Sequence, residues 1–472
     1  METETAPYGL HQLQITEMGS LLQLPTLPTS LGRRCSPCRR PGLSLRLRAL
    51  SKQGHRFLTS LATTTYSAVR DSSATGRSLI RKFVNSSPKH VALDTLSHLL
   101  SPTTTHPHLS AVAIPLYLSI TEASWFNWNA KLVADVIAVM YKHEQFDEAE
   151  TLILETMKKI GIQERNVCNF YCNLIESSAK HQLKESVSDL YNYMKHIFTG
   201  SSSNYVKKRA YESMVRSLCD IGQPQEAEDL MEEMRELGLK QSDFEIRALV
   251  YAYGKIGLVE DMKRNVIELQ NQGFELDTVC ANMVLSSLGT HGELSEMVSW
   301  LQRMKSLRIQ FSVRTYNSVL NSCPTIVLML QDIKSVPISM EHLLKNLTKD
   351  EVLVVGELMG SSVLDEVMEW NSSEMKLDLH GMHLSCSYLI FLQWIDVMRF
   401  RFSSGNQMLV PTEITVVCGL GKHSAVRGQS PVKSLMKEMI LRMKCPLKID
   451  RKNVGCFIAK GKVFRDWLCC LT

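Results

Sequence analysis

The chain has 472 residues, 44% of them hydrophobic and 21% charged, with a formal net charge of only +5. That length allows two or three domains, the apolar content excludes a wholly disordered chain, and no apolar run reaches the roughly 18 residues of a membrane span. Its 13 cysteines are scattered through the sequence, which points to a reducing compartment and away from a disulfide scaffold.

Between Met18 and Arg70 there is no Asp or Glu, while arginine stands at 33, 34, 39, 40, 46, 48, 56 and 70 among serine, threonine and leucine. An acid-free, Arg- and Ser-rich amino terminus marks organellar import. Residues 1–70 are therefore expected to be a disordered transit peptide, addressed to a plastid (chloroplast) first and a mitochondrion second. A basic nucleic-acid-binding arm is the weaker alternative. Cys35-Ser-Pro-Cys38 has the spacing of a zinc half-site but no second pair nearby, so it is read as chance. Residues 71–129 read as a helical cap, with a helix over Ser78–Leu100 and a Pro/Thr/His loop after it.

From Lys208 the same punctuation returns every 35 residues, in units that start at Lys208, Asp243 and Thr278. The fifteenth place holds Gly222, Gly257 and Gly292, each ending one helix and turning the chain into the next. Apolar pairs at the seventh and eighth places (Met214-Val215, Leu249-Val250, Val284-Leu285) belong to a first helix; Ala227, Met262 and Met297, then Met234, Leu269 and Met304, mark the buried face of a second. Gly238 and Gly273 close their units, whereas the third closes on Arg308. Degraded units fit residues 130–167 and 168–207, and a fragment at 313–323 is cut short by Pro324. Units this small cannot bury a core alone, so they must stack, with a shared inner face as the working surface.

The wording Ala210-Tyr211, Gly222, Glu226-Ala227-Glu228, Glu233-Met234 and Gly238 resembles the pentatricopeptide repeat (PPR), over residues 130–323. The resemblance implies a helical-repeat solenoid that binds single-stranded RNA one base per unit, read by the fifth and last residues of each. Carried over, the base readers are Glu212 with Ser242, Arg247 with Asp277, and Asn282 with Ser312; Asn317 is a further reader type in the truncated unit. The third pair matches a combination the family uses, and implies cytosine. An amide offers both a donor and an acceptor to a base edge, although an asparagine on a first helix can equally be a surface or capping residue. Glu212 suits an anionic strand poorly.

Seven acidic residues and no Lys or Arg fall between Asp350 and Met375, so residues 324–375 read as an acidic helical spacer that separates two domains. From Lys376 strands alternate with helices: strands at Lys376–Leu379, Glu413–Cys418 and Asn453–Ala459, helices at Ser385–Met398, Val432–Met443 and Phe464–Leu468. That order argues for an α/β domain over 376–472. Asp378 and His380, two apart on a strand, point to one side; they can bind a metal, shuttle a proton or contact a ribose, or Asp378 simply caps the following turn while His380 makes one structural hydrogen bond. Cys418-Gly419-Leu420-Gly421-Lys422-His423 leaves a buried strand toward a helix begun by Ser430-Pro431. Its glycines, with Lys422, His423 and Arg427, form either a phosphate cradle or a tight turn with solvated charges. Between Ile414 and Thr472 twelve Lys and Arg face three acids, which favours nucleic acid.

Leu377-Asp378-Leu379-His380 and the Gly419–Gly421 loop, together with Asn453-Val454-Gly455-Cys456-Phe457 and Trp467-Leu468, resemble the small-MutS-related (SMR) domain found joined to plant PPR arrays. Cys418 departs from the threonine of that pattern. The resemblance implies an α/β sandwich like the carboxy-terminal half of translation initiation factor 3, nucleic-acid binding, and in some members cleavage that involves the Asp378 and His380 places. The expected fold is thus mainly α, a solenoid followed by an α/β sandwich. The expected function is organellar RNA binding in processing, stability or translation. An RNA endonuclease and a protein-binding scaffold are the alternatives. No resident cofactor or metal is expected, apart from a divalent ion if the domain cuts RNA, and no membrane partner.

Overall fold

The computed structural model describes residues 50–67, 72–102, 107–201, 203–371, 373–403, 410–421 and 429–470; residues 1–49, most of the expected transit peptide, lie outside them. The chain divides into two compact units, one ending at Ser217 and one starting at Leu218, so the division falls within the repeats.

The first unit runs α1 (Lys52–Ser67), α2 (Ser72–Ser86), α3 (Lys89–Leu99), α4 (Pro107–Ala111), α5 (Ala113–Thr121), α6 (Ala130–Lys142), α7 (Phe146–Ile160), α8 (Glu164–Lys180) and α9 (Lys184–Phe198), with α10 (Asn204–Asp220) crossing the division. Helix α1 stands where a disordered leader was expected. Phe57 of α1 stacks on Phe83 of α2 with ring centroids 3.9 Å apart, and both rings are buried. The single helix expected over Ser78–Leu100 is two, because Pro88 stands extended at the N-cap of α3. In units 130–167 and 168–207 the fifteenth places are Glu144 and Gln182, with φ of 59° and 58°. They take the left-handed turn that Gly222, Gly257 and Gly292 take in later units. The backbone demand persists where the glycine is lost.

The second unit contains α11 (Pro224–Glu236), α12 (Asp243–Lys255), α13 (Val259–Asn271), α14 (Thr278–Thr290), α15 (Leu294–Ser306) and α16 (Val313–Leu320). The apolar places expected to be buried in these helices are buried. Successive first helices pack through small residues: a Cβ on Gly289 would lie 2.6 Å from Ser322 Cβ, and one on Gly254 2.7 Å from Ser287 Cβ. The unit then continues through α17 (Pro324–Met329), α18 (Met340–Asn346), α19 (Lys349–Met359) and α20 (Val363–Val367). Pro324 ends α16 and opens α17 as its first residue.

Segment 324–375 joins its neighbours rather than holding them apart. Glu351 is fully buried and accepts from Thr325 N at 2.8 Å and Thr348 N at 3.0 Å, while Glu357 pairs with Lys305 of α15 at 2.6 Å. Glu351 and Glu357 are therefore held by partners in the fold, while Asp350, Asp365, Glu366 and Glu369 stay exposed as a solvated spacer would have them. On the other side, Pro337 O accepts from Tyr388 Oη at 2.7 Å and Val336 O from Arg442 at 2.6 Å.

The carboxy-terminal sheet has the order β1-β2-β3-β5-β4, from β1 (Met368–Trp370), β2 (Glu374–Asp378), β3 (Glu413–Val417), β4 (Lys448–Ile449) and β5 (Cys456–Lys460). Only β2 and β3 run parallel. Helices α21 (Leu384–Ser403), α22 (Pro431–Arg442) and α23 (Gly461–Cys469) complete it. Met375 and Leu377 of β2, Ile414 and Val416 of β3 and Phe457 of β5 share a buried face, whereas Glu374, Lys376 and Asp378 alternate onto the half-exposed one. Strands β1 and β4 were not expected; each is two or three residues long, too short for a period to register.

Candidate nucleic-acid interface

The fifth and last places of a repeat meet in space. Arg247 of α12 donates through Nη1 to Asp277 Oδ1 at 2.7 Å, and also reaches Asp243 Oδ2 at 3.1 Å and Glu275 O at 3.0 Å. This pair is neutralised internally, so Arg247 offers an anion little net charge. The last places also have a local task, as N-caps of the following helix. Asp277 accepts from Cys280 N at 2.8 Å, Ser242 forms a capping box with Glu245, and Ser312 forms one with Thr315. Short oxygen-bearing side chains are favoured there by helix chemistry alone.

One unit further on, the same two places are Asn282 and Ser312. Asn282 Oδ1 is buried and has no hydrogen-bond partner among the described residues. An amide oxygen left so costs of the order of 1 kcal/mol or more. Asn317 repeats the Asn282 position but is engaged: its Oδ1 accepts from His383 N at 3.1 Å. Glu212 pairs with Lys208 one turn back at 3.6 Å.

In the α/β domain, the parallel pairing of β2 and β3 brings the ends of both strands to one edge. Asp378 stands opposite Val417, and a Cβ on Gly419 would lie 3.7 Å from His380 Cβ. Asp378 Oδ1 accepts from His380 N at 2.9 Å and lies 3.3 Å from His380 Nδ1. The carboxylate caps the turn and orients the imidazole at once. Among the described residues His380 Nε2 has no partner, and the ring is largely exposed. Gly381, Gly419 and Gly421 all have φ between 68° and 79°. Gly421 has no room for a side chain, since its Cβ would fall 2.6 Å from Ser430 N. The loop thus lies against the N-terminus of α22, where Ser430 Oγ accepts from Lys433 N at 3.2 Å and donates to Cys418 O at 3.1 Å. Burial pushes the Cys418 thiol up to about 12, so it stays neutral. Lys422, His423 and Arg427 lie outside the described residues.

Three cations beside this edge were not singled out by sequence. Lys433 opens α22 close to Cys418, and Arg451 and Lys452 are exposed on the β4–β5 turn. That turn reaches the same edge: Gly455 O accepts from Cys418 N at 2.9 Å, and a Gly455 Cβ would lie 3.2 Å from Gly419 C. Their position follows from the β3–β5 register, which no local motif encodes. Among the described residues no three metal-ligating side chains cluster, and no helix is long and apolar enough to cross a membrane.

The family model described as PPR repeat matches residues 209–239 and 279–309. Over 420 residues the chain is 53% identical to a pentatricopeptide repeat-containing protein of Arabidopsis thaliana, which covers 89% of this chain and 82% of that protein. Two more distant relatives of the same plant, 26% and 21% identical over 38% and 42% of this chain and 41% and 38% of their own, are named as mitochondrial and chloroplastic pentatricopeptide repeat-containing proteins. The crystal structure of the pentatricopeptide repeat protein PPR10 from maize is similar at 14% identity and a TM-score of 0.38, covering 84% of this chain and 57% of that one.

Proposed function

This chain belongs to the pentatricopeptide repeat family, and from that premise we propose that it binds single-stranded RNA in an organelle, with Asn282 and Ser312 as the principal base-reading pair. The observation that carries this reading is that the fifth and last places of a unit meet in space, as Arg247 and Asp277 do, which gives Asn282 and Ser312 the matching places one unit on. Residues 376–472 are read as an SMR domain, on the Leu377–His380 and Gly419–Gly421 wording and on the way the two stretches face each other. The role is in RNA processing, stability or translation. The plastid is the first address, on the acid-free leader; a reporter fused to residues 1–75 that stays in the cytosol would overturn it.

Asn282→Ala is expected to weaken the preferred RNA by about 1–3 kcal/mol and to relax selection at a single position. Filter binding against a randomised RNA pool reads both. Equal loss on every sequence would sink the assignment of Asn282 as a reader.

One observation favours a second reading, as an RNA endonuclease: the Asp378–His380 pair presents an open imidazole nitrogen beside the glycine turn. Here His380, oriented by Asp378, would hold or move the proton of the attacking oxygen, and backbone N–H groups of the glycine turn with Lys433 would face the developing charge. In the same assay with a divalent ion, Asp378→Ala should then abolish product while leaving affinity unchanged. Intact RNA from the unaltered protein would reject the nuclease and leave the binder.

A further inference from the structure

The line of fifth places does not stop at Asn282; its next member has been given to the α/β domain. Helices α14 and α16 are successive first helices, with N-caps at Asp277 and Ser312, and Asn282 and Asn317 each stand five residues beyond the cap. The two helices are held side by side by Ser286 Oγ donating to Ser318 Oγ at 3.0 Å and Thr278 Oγ1 donating to Gln310 O at 3.2 Å. Asn317 accepts from His383 N at 3.1 Å, and Asn321, one turn later on the same face, places Nδ2 2.5 Å from His383 Nδ1. His383 closes the short loop that leaves β2 through Asp378 and His380. That loop has little freedom of its own, since Leu379 N donates to Val417 O at 2.8 Å and Met382 N to Leu379 O at 3.3 Å.

The joint is braced away from the asparagines as well. Tyr316 of α16 donates to Leu358 O at 2.5 Å, and Gln393 of α21 donates to Met359 O at 3.1 Å. Both anchor points are the end of α19, so α16 and the sheet's long helix grip one element. Loop 379–383 therefore has a set position relative to Asn282.

We propose that Asn317 and Asn321 are positioning residues, which turn the last reading place into a joint and set the Asp378/His380–Gly419 edge directly beyond Asn282. A strand whose base lies at Asn282 and Ser312 cannot continue onto Asn317, because loop 379–383 occupies it. Its next phosphodiester passes instead to the edge lined by His380, the Gly419–Gly421 backbone and Lys433. The array and the α/β domain form one track with a fixed register. This inference rests on the RNA-binding reading above.

The test uses the full chain and its selected RNA, with a thio-substituted uridine photocrosslinker at each position in turn and peptide mapping of the adducts. Adducts to peptides containing residues 378–383 or 413–421 are expected from the one or two nucleotides adjoining the base whose selection Asn282→Ala relaxes. In Asn317→Ala/Asn321→Ala these adducts should fall several-fold and spread to neighbouring positions, with overall affinity unchanged. Asn321 is exposed, so Asn321→Ala alone keeps the test should the double variant not fold. Adducts scattered along the RNA in the unaltered chain, or a pattern that the asparagine variants leave unmoved, would overturn the joint while leaving Asn282 as a reader. If Asn282→Ala relaxes no position, the reading line itself fails, and the joint falls with it.

Discussion

Arg209→Ala is expected to cost the first unit about 3 kcal/mol near neutral pH, because it strands a carboxylate that has little access to water. Arg209 Nη2 lies 2.8 Å from Glu176 Oε1, and Ser213 Oγ donates to the same oxygen at 2.9 Å. The Glu176 side chain is only 16% exposed. Burial alone would raise its carboxyl, but the Arg209 charge and the Arg209 and Ser213 hydrogen bonds outweigh burial and hold it below the ordinary carboxylate range. A depressed carboxyl contributes stability above its unfolded pKa, and that contribution is lost as pH falls through the folded value. In the unaltered chain this stabilisation fades on acidification. In Arg209→Ala burial is opposed only by the Ser213 hydrogen bond and the Arg216 charge, so protonation relieves the poorly paired charge and the penalty should shrink toward about pH 4. Urea unfolding of both chains at the two pH values measures this. A penalty that is the same at both would assign the loss to packing of the arginine stem instead.

How much of this architecture was legible depended on whether a signal was local. The repeats announced themselves through glycine at the fifteenth place, a residue chosen by a left-handed backbone. Glu144 and Gln182 make the same turn without the glycine, and there the sequence became ambiguous. The small residues Gly254, Ser287, Gly289 and Ser322 were not read as an interface, since nothing within one helix shows that its neighbour will approach so closely. Segment 324–375 misled through its charge. Net acidity predicts solvation on average, yet Glu351 and Glu357 each have dedicated partners from distant elements. At the candidate site the Asp378–His380 and Gly419–Gly421 stretches were visible as words. Lys433, Arg451 and Lys452 required the sheet to be assembled first. For Asn317 the register was right, but its partner, His383, lies 66 residues on.

Trp394→Ala should destabilise the second unit by about 3–5 kcal/mol, and its effect should reach well beyond the sheet. Trp394 is fully buried on α21, with its ring 5.7 Å from Phe391 and 5.3 Å from Phe464 of α23. Its Nε1 has no partner among the described residues, so alanine removes volume and contact without orphaning another hydrogen-bonding group there. Helix α21 belongs to two neighbourhoods, since Tyr388 and Gln393 on it bond to Pro337 O and Met359 O in the helical segment. That segment in turn holds the repeats, through Lys305–Glu357 and Tyr316–Leu358. If these links make residues from Leu218 onward a single cooperative body, loss of the tryptophan must raise amide exchange in α14 and α16 along with β2 and β3. Exchange followed by mass spectrometry separates the cases. Faster exchange confined to the sheet and α21–α23 would mean that the α/β domain opens by itself, and a fixed register between Asn282 and His380 could not then be maintained through that opening.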